Sequence, residues 1–265
     1  IWHLRDILNA DHFSRMNVKA AVTLANRCAS RVLANSEATA AAFIAAGGSP
    51  ERVRAVPYGI DAGPFLAVTD TETAAARAAL GVGDAPLLGL FGRLAEWKGQ
   101  HIAIDAAAAL PGVHLLLVGG AMFGEDAYAQ SLQDRARELG VTDRVHFAGY
   151  RDDVPILMRT SDIILHTSVA AEPFGRVILE GMLAGRPVIA TGAGGAREIV
   201  EDDVTGILVP PGDPSALAEA VHQLLMAPDR RRAMGSAART RAMTHFTPEA
   251  MLRSIEQHVI EVVRR

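Results

Sequence analysis

Residues 86–100 of this 265-residue chain read PLLGLFGRLAEWKGQ, and they decide the predicted fold. The stretch opens with a short, almost wholly apolar run at 86–91, which is typical of a parallel strand buried on both faces. The run stops at Gly92, a polar loop follows, and helical spacing begins after Gly99. The stretch therefore predicts one strand–loop–helix unit of a parallel sheet.

The same alternation recurs along most of the chain. Short apolar runs that predict strands lie at residues 30–34, 52–56, 86–91, 114–118, 145–147, 163–166 and 187–190. Helical spacing is found at residues 36–46, 100–110, 127–139, 154–160, 174–184, 214–226 and 228–265. Strand–helix alternation at this pitch is typical of βαβ units with right-handed crossovers. The sequence predicts an α/β fold with a doubly wound parallel sheet.

The alternation breaks once, at residues 56–61 (VPYGID). We therefore predict two units, a leading part over 1–63 and a fuller one over 86–245. Residues 64–85 connect them, and 246–265 form a final helical stretch. The leading part offers only two or three strands, too few for a complete doubly wound sheet, so it is predicted to be an incomplete domain or to pair its strands elsewhere.

Composition excludes several classes of protein. The 26 basic and 30 acidic residues give a net charge of -4, which excludes general disorder and nucleic-acid binding through global basicity. A single cysteine, Cys28, excludes a disulfide framework and CxxC metal or redox pairs, and it indicates a reducing, cytoplasmic compartment. No apolar run reaches the ~20 residues of a membrane helix. The start at Ile1 lacks a signal-peptide pattern and is interpreted as a chain entered in its middle.

Ligands of open parallel sheets bind beyond the carboxyl ends of the strands, so the strand–helix junctions carry the candidate site. At the first junction, Arg93 and Lys98 lie between Gly92 and Gly99, just before a predicted helix. Two cations beside a helix N-terminus favour an anion, and a diphosphate would fit there. The alternative is that Arg93 or Lys98 pairs with Glu96 on the surface.

A second candidate junction carries two glutamates. Glu172 precedes a predicted helix, and Gly175 would let a ligand approach the start of that helix. Glu180 lies within the apolar run of the helix, where a carboxylate is costly unless it has a partner. The vicinal diol of a ribose or a sugar ring would be such a partner. The alternative is a salt bridge from Glu180 to Arg186.

The other junctions and the histidines say less. The glycine-rich turn at 118–124 lacks the Gly-Lys-Ser/Thr ending of a P-loop, and the turn at 191–198 has Arg197 where a dinucleotide fingerprint needs its third glycine. The alternative for the turn at 191–198 is a plain glycine-rich turn capped by Glu198. The nine histidines form no metal-binding pair, although His166 follows a strand near Glu172. No GxSxG nucleophile motif is present.

Residues 91–213 resemble the donor-binding half of a retaining family-4 (group 1) glycosyltransferase of GT-B fold. Glu172 and Glu180 match the E-x7-E signature of that family. Its other pieces in order are Gly92-Arg93…Lys98-Gly99, Phe147-Ala148-Gly149-Tyr150, Gly185-Arg186-Pro187-Val188-Ile189-Ala190, Gly194-Gly195…Glu198 and Thr205-Gly206-Ile207-Leu208-Val209. Residues 34–37 and 56–61 resemble the end of the family's N-terminal domain and its crossover. The resemblance implies a Rossmann-like GT-B fold with a complete donor domain and a partial N-terminal domain.

The resemblance also implies a role for each matching residue. Arg93 and Lys98 would neutralise the donor diphosphate, and Glu180 would bind the ribose hydroxyls. Glu172 would hold the transferred sugar with the backbone of Phe174 and Gly175. The remaining donor-binding positions that it implies are Gly92, Tyr150, Arg151, Gly194 and Gly195. The candidate catalytic residues are thus Glu172, Arg93, Lys98 and, by its position, His3, although Arg5 lies near the same register.

The implied reaction moves a sugar from a UDP- or GDP-sugar to a hydroxyl of a saccharide or lipid-linked acceptor. It retains the anomeric configuration and needs no metal, no cofactor and no nucleic acid partner. The expected location is cytoplasmic, with peripheral contact at the inner face of the membrane as a further expectation. Because the family's first strands would precede Ile1, we expect an N-terminally truncated chain that binds its donor poorly or transfers inefficiently. The final helix would pack back across the domain junction.

Two other functions remain open on the sequence. A nucleotide-sugar epimerase of the same fold would release a different product from the same donor. A non-catalytic nucleotide-binding fragment would bind nucleotide and never transfer. An NAD-dependent dehydrogenase is disfavoured because the fingerprint glycines are lacking.

Overall fold

The computed structural model describes residues 1–9 and 13–264, which form two parallel sheets. The smaller, N-terminal sheet has the order β1-β2-β3, from β1 (Trp2–Leu4), β2 (Val32–Ala34) and β3 (Val53–Ala55). Helix α1 (Arg15–Cys28) connects β1 to β2, and α2 (Glu37–Ala45) connects β2 to β3. We call this part the N-terminal lobe.

The larger sheet has six strands among the described residues, in the order β6-β5-β4-β7-β8-β9. These strands are β4 (Leu87–Phe91), β5 (His114–Val118), β6 (Val145–Gly149), β7 (Ile163–His166), β8 (Val188–Thr191) and β9 (Gly206–Val209). All neighbouring strands are parallel. The predicted α/β doubly wound sheet is confirmed, and its strand order reverses between β4 and β7, where open α/β sheets bind ligands.

Helices cover both faces of this sheet, which makes the C-terminal lobe. The helices of this lobe in chain order are α3 (Gly63–Leu66), α4 (Asp70–Leu80), α5 (Gln100–Ala108), α6 (Asp126–Glu138), α7 (Val154–Thr160), α8 (Arg176–Leu183), α9 (Ala196–Ile199), α10 (Pro214–Met226) and α11 (Pro228–His245). A last helix, α12 (Pro248–Val263), follows them. Leu88 packs into the core on the α5 side, and Leu87 packs into the core beneath α8. Burial on both faces explains why the strands are continuous apolar runs.

The segment at 64–85, expected as a connection, is folded onto the C-terminal lobe. Phe65 is buried in the core beneath α8. Thr69 and Glu72 form a capping box that starts α4. Arg77 then donates to the carbonyl oxygen of Thr160 at the end of α7 (3.1 Å). These contacts tie α4 to α7 as part of one helical layer.

The C-terminal tail consists of two helices, α11 and α12, and the second occupies the stretch where the sequence placed a final helix. The hydroxyl of Thr247 caps α12 by accepting the N–H of Ala250 (3.1 Å). Pro248 occupies the first turn of α12 and cannot continue α11. Helix α12 then lies against the N-terminal lobe, where Glu261 accepts from Arg31 (2.9 Å). No helix of the described residues is both long and apolar enough to cross a bilayer.

Candidate functional site

A cavity of about 330 Å³ lies between the two lobes. On the C-terminal side it is bounded by the carboxyl ends of β4 and β7, and on the N-terminal side by residues that follow β1 and β2. The cavity is therefore at the reversal point of the larger sheet. The charged and polar side chains that line it include Arg5, Asp6, Asn35, Lys98, Gln100, His166, Thr167, Ser168, Glu172 and Arg176.

Glu172 is the centre of the polar network in this cavity. Its Oε2 accepts hydrogen bonds from Lys98 Nζ (2.6 Å) and Ser168 Oγ (3.1 Å), and His166 Nε2 lies 3.3 Å away. Burial opposes ionisation of Glu172. The hydrogen bond from His166 and the positive charge of Lys98 outweigh the burial and hold the Glu172 pKa well below its usual range. Glu172 is therefore an anion at neutral pH, with Oε1 left for a ligand.

His166 is oriented by a threonine on the neighbouring strand. Thr191 Oγ1 donates to the carbonyl oxygen of Ser168 (2.9 Å), so its lone pairs face His166 Nδ1 at 3.4 Å. These contacts hold the imidazole ring with Nδ1 on the Thr191 side and Nε2 directed toward Glu172. The sequence placed His166 near Glu172, and the structure brings the two side chains together.

The two predicted cations occupy different surroundings. Lys98 lies on a 3₁₀ turn (Glu96–Lys98), lines the cavity and pairs with Glu172. Arg93 pairs with Glu125 (3.4 Å), lies 5.2 Å from the ring centre of Phe123, and is outside the described lining. The alternative of an ion pair to Glu96 is wrong for both residues.

Glu180 lies one turn into α8, behind the lining of the cavity. Burial raises its pKa, and the charge of Arg176 opposes this only in part. The guanidinium of Arg176 lies 3.4 Å from the Glu180 carboxylate, whereas Arg186 donates to the carbonyl oxygen of Arg159. The alternative salt bridge from Glu180 to Arg186 is therefore wrong. Glu180 is a half-buried carboxylate whose one partner, Arg176, is exposed.

Helix α8 starts at the cavity wall. Gly175 caps it with φ +103°, a conformation that favours glycine, and both Phe174 and Gly175 line the cavity. The Phe174 ring is 2% exposed and meets the edge of Tyr58 with ring centres 5.1 Å apart. The first N–H groups of α8 thus lie beside Glu172, where their dipole favours a negative ligand.

The glycines at 194 and 195 support the loop that carries Glu172. Gly194 has φ +61°, and a Cβ there would lie 2.1 Å from the carbonyl oxygen of Glu172. Gly195 donates its N–H to that same oxygen (2.9 Å). The two glycines contact the backbone behind the site and are outside the described lining of the cavity.

Three predicted donor-binding residues lie outside the described lining of the cavity. Gly92 turns the chain after β4 and donates to the carbonyl oxygen of Val118 (2.9 Å). Tyr150 is 81% exposed, and a hydrogen bond with Asp152 raises its pKa. Arg151 pairs with Asp153 (2.6 Å).

The N-terminal lobe contributes Arg5, which the sequence left open as an alternative to His3, and also Asp6 and Asn35, which the sequence did not single out. Arg5 and Asp6 line the main cavity, whereas His3 borders a smaller neighbouring one. Asn35 follows β2, donates to the carbonyl oxygen of Arg5 (3.0 Å) and is 5% exposed. The signal that could have found Asn35 is its place just after a predicted strand.

The two lobes are joined directly beside the site. Ser36 Oγ donates to the carbonyl oxygen of Pro173 (2.5 Å), and Thr39 Oγ1 lies 3.2 Å from the same oxygen. Across the same contact, the carboxylate of Glu198 accepts the N–H groups of Glu37 (2.9 Å) and Ala38 (2.8 Å). Glu198 therefore caps α2 of the other lobe rather than its own turn. In the described part of the chain, no three His, Cys, Asp or Glu side chains are grouped to hold a metal.

The fold and this site place the chain in a known class. Residues 73–241 match the model of the family "Glycosyl transferases group 1", and the chain belongs to that family. The fold is of the GT-B type found in solved glycosyltransferases.

The chain is similar to several named proteins. It is 34% identical over 242 residues to D-inositol 3-phosphate glycosyltransferase of Mycobacterium tuberculosis, covering 88% of this chain and 50% of that protein. It is 35% identical over 168 residues to the lipopolysaccharide core biosynthesis glycosyltransferase LpsE of Rhizobium meliloti, covering 63% and 48%. Crystalline Anabaena HepE in complex with UDP-glucose is 42% identical with a TM-score of 0.95, over 98% of this chain and 71% of that one. The chain spans about half the length of these two curated relatives.

Proposed function

We propose that this chain carries the donor site of a retaining glycosyltransferase that uses a UDP-sugar. The observation that carries the proposal is the ionised Glu172, which pairs with Lys98 through one carboxylate oxygen. The pair lies where the strand order of the larger sheet reverses. A sugar hydroxyl suits the free carboxylate oxygen, and a diphosphate suits the ammonium group. The likeness to HepE, which was crystallised with UDP-glucose, supports a UDP-sugar over a GDP-sugar.

Negative charge develops on the departing nucleoside diphosphate, and the site has to stabilise it. We assign Lys98 and the N-terminus of α8 to that charge, because both lie at the cavity wall. Arg93 joins them if its side chain leaves Glu125 when the donor binds. These groups would stand in for a metal ion. Glu180 would accept hydrogen bonds from the ribose hydroxyls, which return polar partners to its half-buried carboxylate.

The transfer is proposed to occur on one face of the sugar. The bond from the anomeric carbon to the diphosphate oxygen breaks, and the bond to the acceptor oxygen forms on the same face. The acceptor proton passes to the departing phosphate oxygen, so no protein nucleophile is needed. Arg5 and Asp6 line the N-terminal side of the cavity and are assigned to the acceptor in place of His3. A saccharide or lipid-linked acceptor and peripheral membrane contact belong to the same proposal.

Calorimetric titration with UDP, GDP and ADP, with and without Mg²⁺, tests the donor assignment. We expect saturable UDP binding without metal. Glu180→Ala and Arg93→Ala should each weaken it by roughly 1–3 kcal/mol, the range for a charged hydrogen bond. Glu138→Ala, an exposed carboxylate on α6, is the matched control and should leave UDP binding unchanged. Unchanged affinity in both site variants would overturn the assignment.

The stereochemistry needs its own measurement. Proton NMR of the product formed from UDP-glucose reports the anomeric configuration directly. An α-linked product from the α-configured donor is expected. A β-linked product would overturn retention while leaving the donor site intact.

A further inference from the structure

A second polar cavity lies at the amino ends of the strands of the larger sheet, opposite the cleft. It encloses about 380 Å³ and is bordered by residues that precede β7 and β8, so it faces away from the cleft between the lobes. Its charged lining is four arginines and one aspartate, namely Arg186, Arg231, Arg232, Arg239 and Asp162. Such an excess of one charge in a concave site attracts the opposite charge.

The one aspartate is already shared. Asp162 lies 3.6 Å from Arg231 and 3.6 Å from Arg77, and it also accepts the N–H of Leu87 (2.9 Å). Arg232 pairs with Asp229 on its own helix. The carboxylates of the described residues around this cavity therefore already pair with groups other than Arg186 and Arg239.

Arg186 and Arg239 have only carbonyl partners in the described chain. Arg239 donates to the carbonyl oxygens of Leu183 (3.0 Å) and Ala184 (2.8 Å), and Arg186 donates to that of Arg159. The Nε of Arg186 is buried with no hydrogen-bond partner. Burial lowers the pKa of Arg186, and the positive charges of Arg159, Arg231 and Arg239 lower it further against the opposing charge of Asp162. Two guanidinium groups whose hydrogen bonds within the described chain go only to carbonyl oxygens thus stand at one cavity.

We propose that this cavity is a second anion-binding site, separate from the cleft, for the phosphate group of a small phosphorylated molecule or of a lipid headgroup. A phosphate monoester carries about -1.5 to -2 charges near neutral pH, which suits two guanidinium groups that have no carboxylate partner among the described residues. Guanidinium forks also fit phosphate oxygens in a two-point geometry. The volume is in the range of small-molecule sites.

Ser236 gives a test that leaves every arginine in place. Its side chain is exposed on α11 at the cavity wall, so Ser236→Glu adds a negative charge and Ser236→Gln adds the same bulk without charge. Pyrophosphate is titrated into all three proteins at constant ionic strength set with NaCl. With the cleft saturated by UDP, we expect one further saturable site for pyrophosphate, weakened about tenfold or more by Ser236→Glu and within about twofold of wild type in Ser236→Gln. A phosphate that binds in the cleft would bind all three proteins with the same affinity.

Vesicles separate the two sources of phosphate. The same three proteins are co-sedimented with phosphatidic acid vesicles and with phosphatidylcholine vesicles. Charge-sensitive binding of pyrophosphate supports the site with a soluble ligand, and charge-sensitive binding of phosphatidic acid vesicles supports it with a lipid headgroup. If neither ligand binds, or if both variants bind alike, the proposal is overturned.

Discussion

The ammonium nitrogen of Lys98 lies 2.6 Å from Oε2 of Glu172, inside the cavity between the lobes. The two residues come from different strand–helix junctions, 74 positions apart in the sequence. In the free protein they neutralise each other, so neither is left as an uncompensated buried charge. A bound diphosphate would compete with Glu172 for Lys98, and the freed carboxylate would then meet the sugar.

We predict strong energetic coupling between these two residues. In a double-mutant cycle of Lys98→Ala and Glu172→Gln, the free energy of unfolding should reveal a coupling of about 1.5–3 kcal/mol. The exposed Arg137–Asp134 pair on α6 is the matched control and should couple much more weakly. Additive losses at the Lys98–Glu172 pair would contradict the account.

Acid should remove the contribution of Glu172 to stability. Its pKa is lowered in the folded protein, so its contribution is complete above the unfolded pKa of about 4.3 and is lost as the pH falls below that value. Glu172→Gln should therefore be less stable at neutral pH and should lose less stability between about pH 5 and about pH 3. Denaturant unfolding across that range measures the slopes. Equal slopes in the two proteins would count against a lowered pKa.

Gly194→Ala should disturb the Glu172 loop beyond the cost of its backbone angle. Gly194 (φ +61°) and Gly212 (φ +72°) share the left-handed conformation, but only at Gly194 does a Cβ meet a neighbour, 2.1 Å away. We expect Gly212→Ala to cost about 1–2 kcal/mol of unfolding free energy and Gly194→Ala to cost about 3 kcal/mol or more. Gly194→Ala should also weaken UDP binding. Equal costs would show that the close approach is unimportant.

Removing Glu198 should loosen the other lobe. Glu198→Ala takes away the acceptor for two N–H groups of α2, which should cost about 1 kcal/mol and speed hydrogen exchange at residues 36–45. Glu201→Ala is the control, because Glu201 pairs with Arg241 inside its own lobe (2.5 Å). Similar exchange of α2 in both variants would contradict a contact across the lobes.

The strands of the larger sheet are predictable because burial on both faces leaves continuous apolar runs. Helix α1 escapes prediction because only Val22 and Ala25 of its fourteen residues are buried, so its periodicity is faint. Strand β1, three residues long, carries no pattern to find.

The candidate site divides in the same way. Glu172, Lys98 and Gly175 follow predicted strands or begin predicted helices, and the structure brings them to one cavity. The partner of Arg93 is Glu125, which lies in another loop, and that of Glu198 is the start of α2 in another lobe. Pairs of this kind depend on how loops and lobes pack, which residue spacing does not encode.

A crystal structure of this protein with UDP-glucose would show whether Lys98, Glu172 and Glu180 hold the donor. We predict diphosphate oxygens within hydrogen-bond distance of Lys98 Nζ, the glucose on Glu172 and the ribose on Glu180. A nucleotide that occupies the cleft with Lys98 still paired to Glu172, or that binds elsewhere on the molecule, would contradict this prediction.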